Sequence, residues 1–177
     1  MTYFGFMLFY KNITLDFNSK FITRVQEKIF FNRMFPANFL CYDSNKKTLE
    51  VQWLPTVFIV EDDKSIQLLY KKFLNLHGFE VLGTANNGEE AVEQFKRFSK
   101  KPDIILMDHR MPVKDGLEAT QEILKLNKNV NVIFASADKT IKKDALSLGI
   151  IGFLDKPFSV DKLVNKIKKS LSTAKVS

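Results

Sequence analysis

An aspartate, Asp108, directly follows an unbroken apolar run, the residues IILM at 104–107. Such a run is typical of a parallel strand that is covered on both faces. Met111-Pro112 and Asp115-Gly116 come next, with the composition of a loop. The carboxyl ends of parallel strands are where open sheets bind their ligands, so Asp108 is a candidate site residue. Taken alone, an aspartate at this junction is more often a loop or helix-capping residue.

Other apolar segments of the chain also end in polar side chains, which are the acids Glu61, Asp62, Asp63 and Asp155, the cation Lys156 and the hydroxyl Ser136. Because the ends of parallel strands share one edge of a sheet, we expect these side chains to converge on Asp108. Carboxylates about 4 Å apart repel each other by several kcal/mol, so they would share protons or recruit a cation. Oxygen ligands in an incomplete, hydrated cage favour Mg²⁺. An aspartate, a divalent ion, a lysine and a hydroxyl can together accept and hold a phosphoryl group.

Five strand-then-helix units account for the chain from Thr56 onward. The predicted strands are 56–60, 79–85, 103–107, 130–136 and 150–154, and the predicted helices are 65–78, 88–99, 116–127, 141–149 and 160–172. This alternation predicts an α/β fold, a doubly wound five-stranded parallel sheet with helices on both faces and right-handed connections.

Composition limits the classes of protein that need to be considered. A chain of 177 residues suits one domain with a good core and some remainder, and its 45% hydrophobic and 27% charged residues are those of a soluble globular protein. Cys41 is the only cysteine, which excludes an intrachain disulfide and a metal–thiolate site. No stretch approaches the roughly 20 apolar residues that cross a bilayer. We therefore expect a cytoplasmic protein that does not bind membranes.

The net charge of +7 raises the question of nucleic-acid binding. Most of the lysines are scattered over predicted helix faces, and the stripe formed by Lys162, Lys166 and Lys169 is interpreted as a solvated face of the last helix. No direct contact with nucleic acid is expected.

Residues 1–54 differ in composition from the rest of the chain. They form an N-terminal segment of unknown role, which is followed by a domain at 55–177. Nine of the seventeen phenylalanines lie in this segment, which carries no recognisable chemistry. Phe21, Val25 and Ile29 recur at four-residue spacing and predict a helix at 21–34. We expect the segment to be otherwise irregular.

Four motifs occur in the part of the chain that follows this segment: FIVEDD (58–63), DIILMDHRMPVKDG (103–116), VIFASA (132–137) and GFLDKPF (152–158). Each motif alone is weak, but their order and intervals together are specific. On these motifs, residues 56–175 resemble a receiver domain of the two-component response regulator family. The resemblance implies the flavodoxin-like receiver fold, with strand order 2-1-3-4-5.

The resemblance also implies roles for the side chains at the strand ends. Asp108 would be the phosphoacceptor that becomes an aspartyl phosphate. Glu61 and Asp62 would hold Mg²⁺ together with Asp108 and the backbone carbonyl of Arg110, while Asp63 would be a third, variable acid. Lys156 would pair with Asp108 and later with a phosphoryl oxygen, from a loop that a cis peptide before Pro157 lets reach back into the site.

Four more residues are expected to act once Asp108 is phosphorylated. The resemblance implies that Ser136 would hydrogen-bond the phosphoryl group, and that Phe153 would follow the resulting movement of Ser136 inward. Arg110 and Asp138, two residues beyond the acceptor and the hydroxyl, would flank the path of the hydrolytic water and tune the phosphoryl lifetime. Arg110 would either shield the phosphoryl group or pair with Asp138 and leave the site open.

The function that the resemblance implies is a phosphorylation-dependent signalling switch in a two-component system or phosphorelay. The phosphoryl donor would be a phosphohistidine on a histidine kinase or histidine phosphotransfer protein. The only catalysis expected is self-catalysed phosphorylation and dephosphorylation. Because about five residues follow the last predicted helix, output is expected through a protein partner on the face built from the fourth helix, fifth strand and fifth helix.

Two alternative functions remain open. The chain could be the detached C-terminal receiver of a hybrid histidine kinase, although no nucleotide-binding motif of a kinase is visible. It could also be an aspartate-nucleophile phosphohydrolase of the haloacid dehalogenase kind. That family needs a second aspartate two residues after the nucleophile, where this chain has Arg110.

Overall fold

The computed structural model describes residues 38–43 and 48–174, with side chains described for 54–172. The chain divides into two compact units, Met1–Leu54 and Pro55–Ser177. The helix predicted at 21–34 lies outside the described residues.

The described part of the first unit is an antiparallel pair of strands. Strand β1 (Asn38–Asp43) pairs with β2 (Thr48–Trp53), and Asn38 lies opposite Trp53. Our expectation of an irregular segment did not include this pair. A signal for it exists, because Leu49, Val51 and Trp53 alternate with polar residues, which is the period of a strand.

The second unit alternates five strands with five helices. In chain order the elements are β3 (Thr56–Val60), α1 (Lys64–Leu76), β4 (Glu80–Ala85), α2 (Gly88–Arg97), β5 (Ile104–Met107), α3 (Gly116–Leu126), β6 (Val132–Ser136), α4 (Lys142–Ser147), β7 (Gly152–Asp155) and α5 (Val160–Ala174). The five strands pair in parallel in the order β4-β3-β5-β6-β7. Counted from β3 this order is 2-1-3-4-5, so the predicted α/β sheet and its strand order are confirmed.

The sheet is buried on both faces, which explains why its central strands are continuous apolar runs. Residues of β3 alternate between two hydrophobic clusters, with Val57 and Ile59 on one face and Phe58 and Val60 on the other. One cluster continues into side chains of α2, α3 and α4, which are Ala91, Val92, Phe95, Ala119, Ile123 and Ala145. The other continues into side chains of α1 and α5, which are Tyr70, Leu74, Leu163, Val164 and Ile167. Packing of helices on both faces leaves the strand ends as the place for polar chemistry.

Side-chain caps fix the start of three helices that follow strands or loops at the site edge. Asn87 Oδ1 accepts a hydrogen bond from Glu90 N at 2.8 Å, and Asp115 Oδ1 accepts one from Glu118 N at 2.9 Å. Asp63 caps α1 in the same way. Each cap satisfies backbone N–H groups that have no partner within the helix. The loops that lead into α1, α2 and α3 are thereby fixed where each helix begins.

None of the helices in the described part of the chain combines the length and the apolar character that crossing a membrane would require.

Candidate functional site

Three carboxylates converge at the ends of two neighbouring central strands. Glu61 and Asp62 follow β3, and Asp108 follows β5, which pairs directly with β3. One carboxylate oxygen from each lies within 4.8 Å of the others. Glu61 and Asp108 are buried, whereas Asp62 is exposed. The backbone N–H of Asp108 donates to Val60 O at 2.8 Å, which locks the acceptor strand to the strand that carries the acid pair.

Lys156 reaches this cluster from the end of β7. Its Nζ lies 2.7 Å from Glu61 Oε2 and 3.3 Å from Asp108 Oδ1. Its backbone N–H donates to Ser136 O at 2.9 Å, and the Lys156–Pro157 peptide is cis, as the resemblance implied. The expected pairing of Lys156 with Asp108 is present, and Lys156 makes a shorter contact with Glu61 as well.

The cluster carries more negative than positive charge. Burial raises the pKa of the Glu61 carboxyl above its ordinary value, and the hydrogen bond from Lys156 opposes that rise. The charges on Asp108 and Asp62 raise the pKa of Glu61 further. Three carboxylates against one lysine leave two negative charges, and carboxylate oxygens are ligands that Mg²⁺ prefers. The residues present therefore fit a divalent cation.

Asp63, the third acid after β3, belongs to helix α1 and not to the cluster. Its Oδ1 accepts hydrogen bonds from the backbone N–H groups of Ser65 at 2.7 Å and Ile66 at 3.1 Å. The N–H groups of Ile66 and then Ser65 hold the pKa of Asp63 below its usual value. Asp63 was expected to converge on Asp108 with the other acids. This expectation is wrong, because the capping geometry directs its carboxylate to the start of α1.

Ser136 and Phe153 lie on the two strands at the far side of the acceptor. Ser136 ends β6, is buried, and its Oγ accepts a hydrogen bond from Asp138 N at 3.1 Å. Phe153, on β7, is half-buried and stacks on Phe134 at a centroid distance of 6.3 Å. Lys142 Nζ lies 5.4 Å from the centroid of the Phe153 ring. The hydroxyl and the aromatic ring therefore occupy neighbouring strands of the sheet.

Arg110 and Asp138 form an ion pair between the loops that follow β5 and β6. Arg110 Nη2 and Nε donate to Asp138 Oδ2 at 2.8 and 3.3 Å. The hydrogen bonds from the Thr140 hydroxyl and from Arg110 hold the pKa of Asp138 well below its usual value. Of the two arrangements expected for Arg110, shielding of the phosphoryl group or pairing with Asp138, the structure has the second.

Two side chains on α1 that lie beside the site were not predicted from the sequence. Gln67 Nε2 donates to the backbone carbonyl oxygens of Glu61 and Ala85, each at 3.1 Å. Tyr70 stacks on Phe158, two residues after Lys156, at a centroid distance of 5.9 Å. Neither stands in a motif, because contacts of this kind depend on the rotation of α1 about its axis. A glutamine beside the core-facing positions of an amphipathic helix is the signal that could have suggested the first.

Comparison with known proteins identifies the class to which this fold and site belong. A family model described as "Response regulator receiver domain" matches residues 57–168. The chain therefore belongs to the response regulator receiver domain family, as the motifs predicted.

Several relatives resemble the chain over this region. Chemotaxis protein CheY of Thermotoga maritima is 36% identical over 115 residues, which are 64% of this chain and 94% of CheY. A chain in the crystal structure of the CheX–CheY–BeF3–Mg²⁺ complex from Borrelia burgdorferi superposes with a TM-score of 0.62 at 31% identity, covering 65% of this chain and 87% of that one. The response regulator TrrA of Thermotoga maritima, in complex with Mg²⁺–BeF, gives a TM-score of 0.59 at 34% identity, covering 66% and 99%.

Proposed function

We propose that this chain is a phosphorylation-dependent switch in which Asp108 accepts a phosphoryl group from a phosphohistidine. The observation that carries the proposal is the contact of Lys156 Nζ with both Glu61 and Asp108, inside a cluster that Asp62 completes. A buried carboxylate beside a fixed cation, with two further acids suited to a divalent ion, has the parts that phosphoryl acceptance needs.

The transfer step uses Asp108 as the nucleophile. A carboxylate oxygen attacks the phosphorus of the phosphohistidine, a P–O bond forms, the P–N bond breaks, and its electron pair returns to the imidazole, which takes up a proton. Lys156 attracts a phosphoryl oxygen, and the Ser136 hydroxyl donates a hydrogen bond to another. When bound at Glu61, Asp62, Asp108 and the backbone carbonyl of Arg110, Mg²⁺ supplies positive charge to the phosphoryl oxygens. The Mg²⁺ in the two solved relatives supports this assignment.

The proposed setting is a cytoplasmic two-component system or phosphorelay. The donor is a histidine kinase or histidine phosphotransfer protein, and output passes to a protein that binds the face of α4, β7 and α5. Leu146, on α4, and Ile151, just before β7, are exposed apolar side chains, which suit a protein partner better than nucleic acid. A receiver detached from a hybrid kinase would use the same site chemistry and differ only in its donor.

Incubation with acetyl phosphate and Mg²⁺ tests the proposal. Intact-protein mass spectrometry should show one phosphoryl group added to each chain, and EDTA should prevent the addition. Absence of any addition with Mg²⁺ present would contradict the proposal. Steady turnover of p-nitrophenyl phosphate would instead favour the phosphohydrolase alternative, for which Arg110 stands where that chemistry needs an aspartate.

Ser136→Ala should separate phosphorylation from its conformational consequence. The acyl phosphate adds charge and acceptor oxygens at the strand edge, and the Ser136 hydroxyl donates a hydrogen bond to one of them. This hydrogen bond biases the equilibrium between two packings of α4 and β7. We expect the variant to be phosphorylated, yet to show much smaller phosphorylation-dependent chemical-shift changes at residues 138–153. Ser147→Ala, at an exposed hydroxyl on α4, is the control. Shift changes in Ser136→Ala equal to those of the parent would refute this role.

Arg110→Asn should shorten the phosphoryl lifetime by about tenfold, which is about 1.4 kcal/mol in the barrier. The long guanidinium can cover a phosphoryl oxygen and exclude the attacking water, whereas a short amide can orient that water. Shielding requires Arg110 to leave Asp138, so Asp138→Asn should free the guanidinium and lengthen the lifetime. Dephosphorylation is followed for both variants at one Mg²⁺ concentration. If Arg110→Asn hydrolyses at the parent rate or more slowly, the ion pair persists and Arg110 does not shield.

A further inference from the structure

A single side-chain amide ties helix α1 to the ends of two strands beside the acid pair. The Nε2 of Gln67, which is half-buried, donates to Glu61 O and Ala85 O at 3.1 Å each. The Ala85 carbonyl also accepts the backbone N–H of Glu61 at 3.0 Å. The amide therefore anchors Glu61 and the last residue of the edge strand β4 at the same point.

The Glu61 carbonyl belongs to the peptide unit that joins Glu61 to Asp62. Fixing that unit fixes the ψ of Glu61 and the φ of Asp62, and with them the directions in which both side chains leave the backbone. Lys156 holds the Glu61 carboxylate, but Asp62 is exposed and its direction depends chiefly on its backbone. On the other side of Asp62, Asp63 is fixed as the cap of α1. The acid pair thus lies between two anchored points, of which Gln67 supplies the first.

We propose that Gln67 is a positioning residue for the Mg²⁺ site: its carboxamide orients the peptide between Glu61 and Asp62 so that both carboxylates face Asp108. This inference rests on the proposed function, because it assigns Gln67 to the metal site of that function. Groups that orient metal ligands from the next layer affect metal affinity by about tenfold to a hundredfold when removed.

The fold supplies a matched control for this amide. Gln94, on α2, is also half-buried, and its Nε2 donates to the carbonyl of Thr84 at 2.9 Å, one residue before Ala85 on the same strand. Its second partner is Glu90 Oε1, at 2.8 Å. Gln94 therefore satisfies a neighbouring strand-end carbonyl with the same chemistry, and its amide donates to Thr84 and Glu90 instead of to the acid pair.

Gln67→Met and Gln94→Met test the assignment, because methionine has a similar length and no donor. Calorimetric titration of the unphosphorylated proteins with Mg²⁺ should show affinity about tenfold weaker for Gln67→Met and unchanged for Gln94→Met. The midpoint of urea unfolding should fall by a similar amount in both variants, because each loses one pair of amide hydrogen bonds. The Mg²⁺-free ¹H–¹⁵N spectrum should show displaced Asp62 and Asp63 amides in Gln67→Met only. Gln67→Asn, whose amide is one methylene shorter, is the milder second variant and should also weaken Mg²⁺ binding.

Equal Mg²⁺ affinities for Gln67→Met and the parent would overturn the inference. So would an equal loss of affinity in Gln94→Met, which would reduce the effect to general destabilisation. These results leave the proposed function intact, since the parent still binds Mg²⁺ and accepts a phosphoryl group. A parent that binds no Mg²⁺ would overturn the proposed metal site and this inference together.

Discussion

Asp108→Asn is expected to lower phosphoryl incorporation by at least about a thousandfold, which corresponds to about 4 kcal/mol in the barrier. The amide is nearly isosteric with the carboxylate, so its oxygen can still accept the 2.8 Å hydrogen bond from His109 N. What the variant lacks is the anionic oxygen that attacks phosphorus and carries the group afterwards. The loss should therefore appear in the chemistry and not in the fold.

The measurement is labelling with acetyl phosphate and Mg²⁺, followed by intact mass. Asp155→Asn is the matched control, because Asp155 also ends a strand at this edge, opposite Ser136, and its carboxylate has Lys142 Nζ at 3.8 Å and no assigned role in the transfer. It should be labelled at close to the parent rate. Labelling of Asp108→Asn at the parent rate would show that another residue accepts the phosphoryl group.

The strands that carry the site could be predicted because burial on both faces leaves a strong sequence signal. The runs at 56–60 and 104–107 have no polar residue except Thr56, and each stops at a carboxylate. An acid is costly to bury within such a run, so the end of the apolar run marks the end of the strand. Helix α4 was less well predicted: 141–149 was expected and Lys142–Ser147 is observed. Its helical pattern runs on to Gly149, which has φ +87° and lies beyond the helix end.

The side-chain partners within the site could not be predicted from the sequence. Lys156 and Glu61 are 95 positions apart, and whether the lysine lies closer to Glu61 or to Asp108 depends on the rotamers of all three. The Arg110–Asp138 pair spans 28 positions and was left as one of two alternatives for the same reason. Asp63 is different, because an aspartate just before an amphipathic helix is a capping signal. The capping role was nevertheless not predicted, because Asp63 was grouped with the two acids that precede it.

Gly116→Ala should destabilise the domain by about 3 kcal/mol, although alanine is the better helix former. Gly116 is the first residue of α3, and its N–H donates to His109 O at 3.0 Å. A Cβ at this position would lie 2.1 Å from the carbonyl oxygen of Asp108 and 3.0 Å from the Cα of His109. Both atoms are backbone, so relief requires the acceptor loop or the start of α3 to move. Slower phosphoryl incorporation should accompany the loss of stability.

Gly152→Ala separates this explanation from a general cost of adding a methyl group to a tight position. The Cβ added at Gly152 would also meet a close atom, Lys166 Cε at 2.2 Å. That atom lies near the end of a flexible side chain and not in the backbone. The lysine can change rotamer, so we expect a loss of less than about 1 kcal/mol. Urea unfolding of the two variants under identical conditions measures the difference. If Gly116→Ala were as stable as Gly152→Ala, the loop after Asp108 would have to yield readily, and a rigid acceptor backbone would no longer explain why Asp108 keeps its place between Glu61 and Lys156.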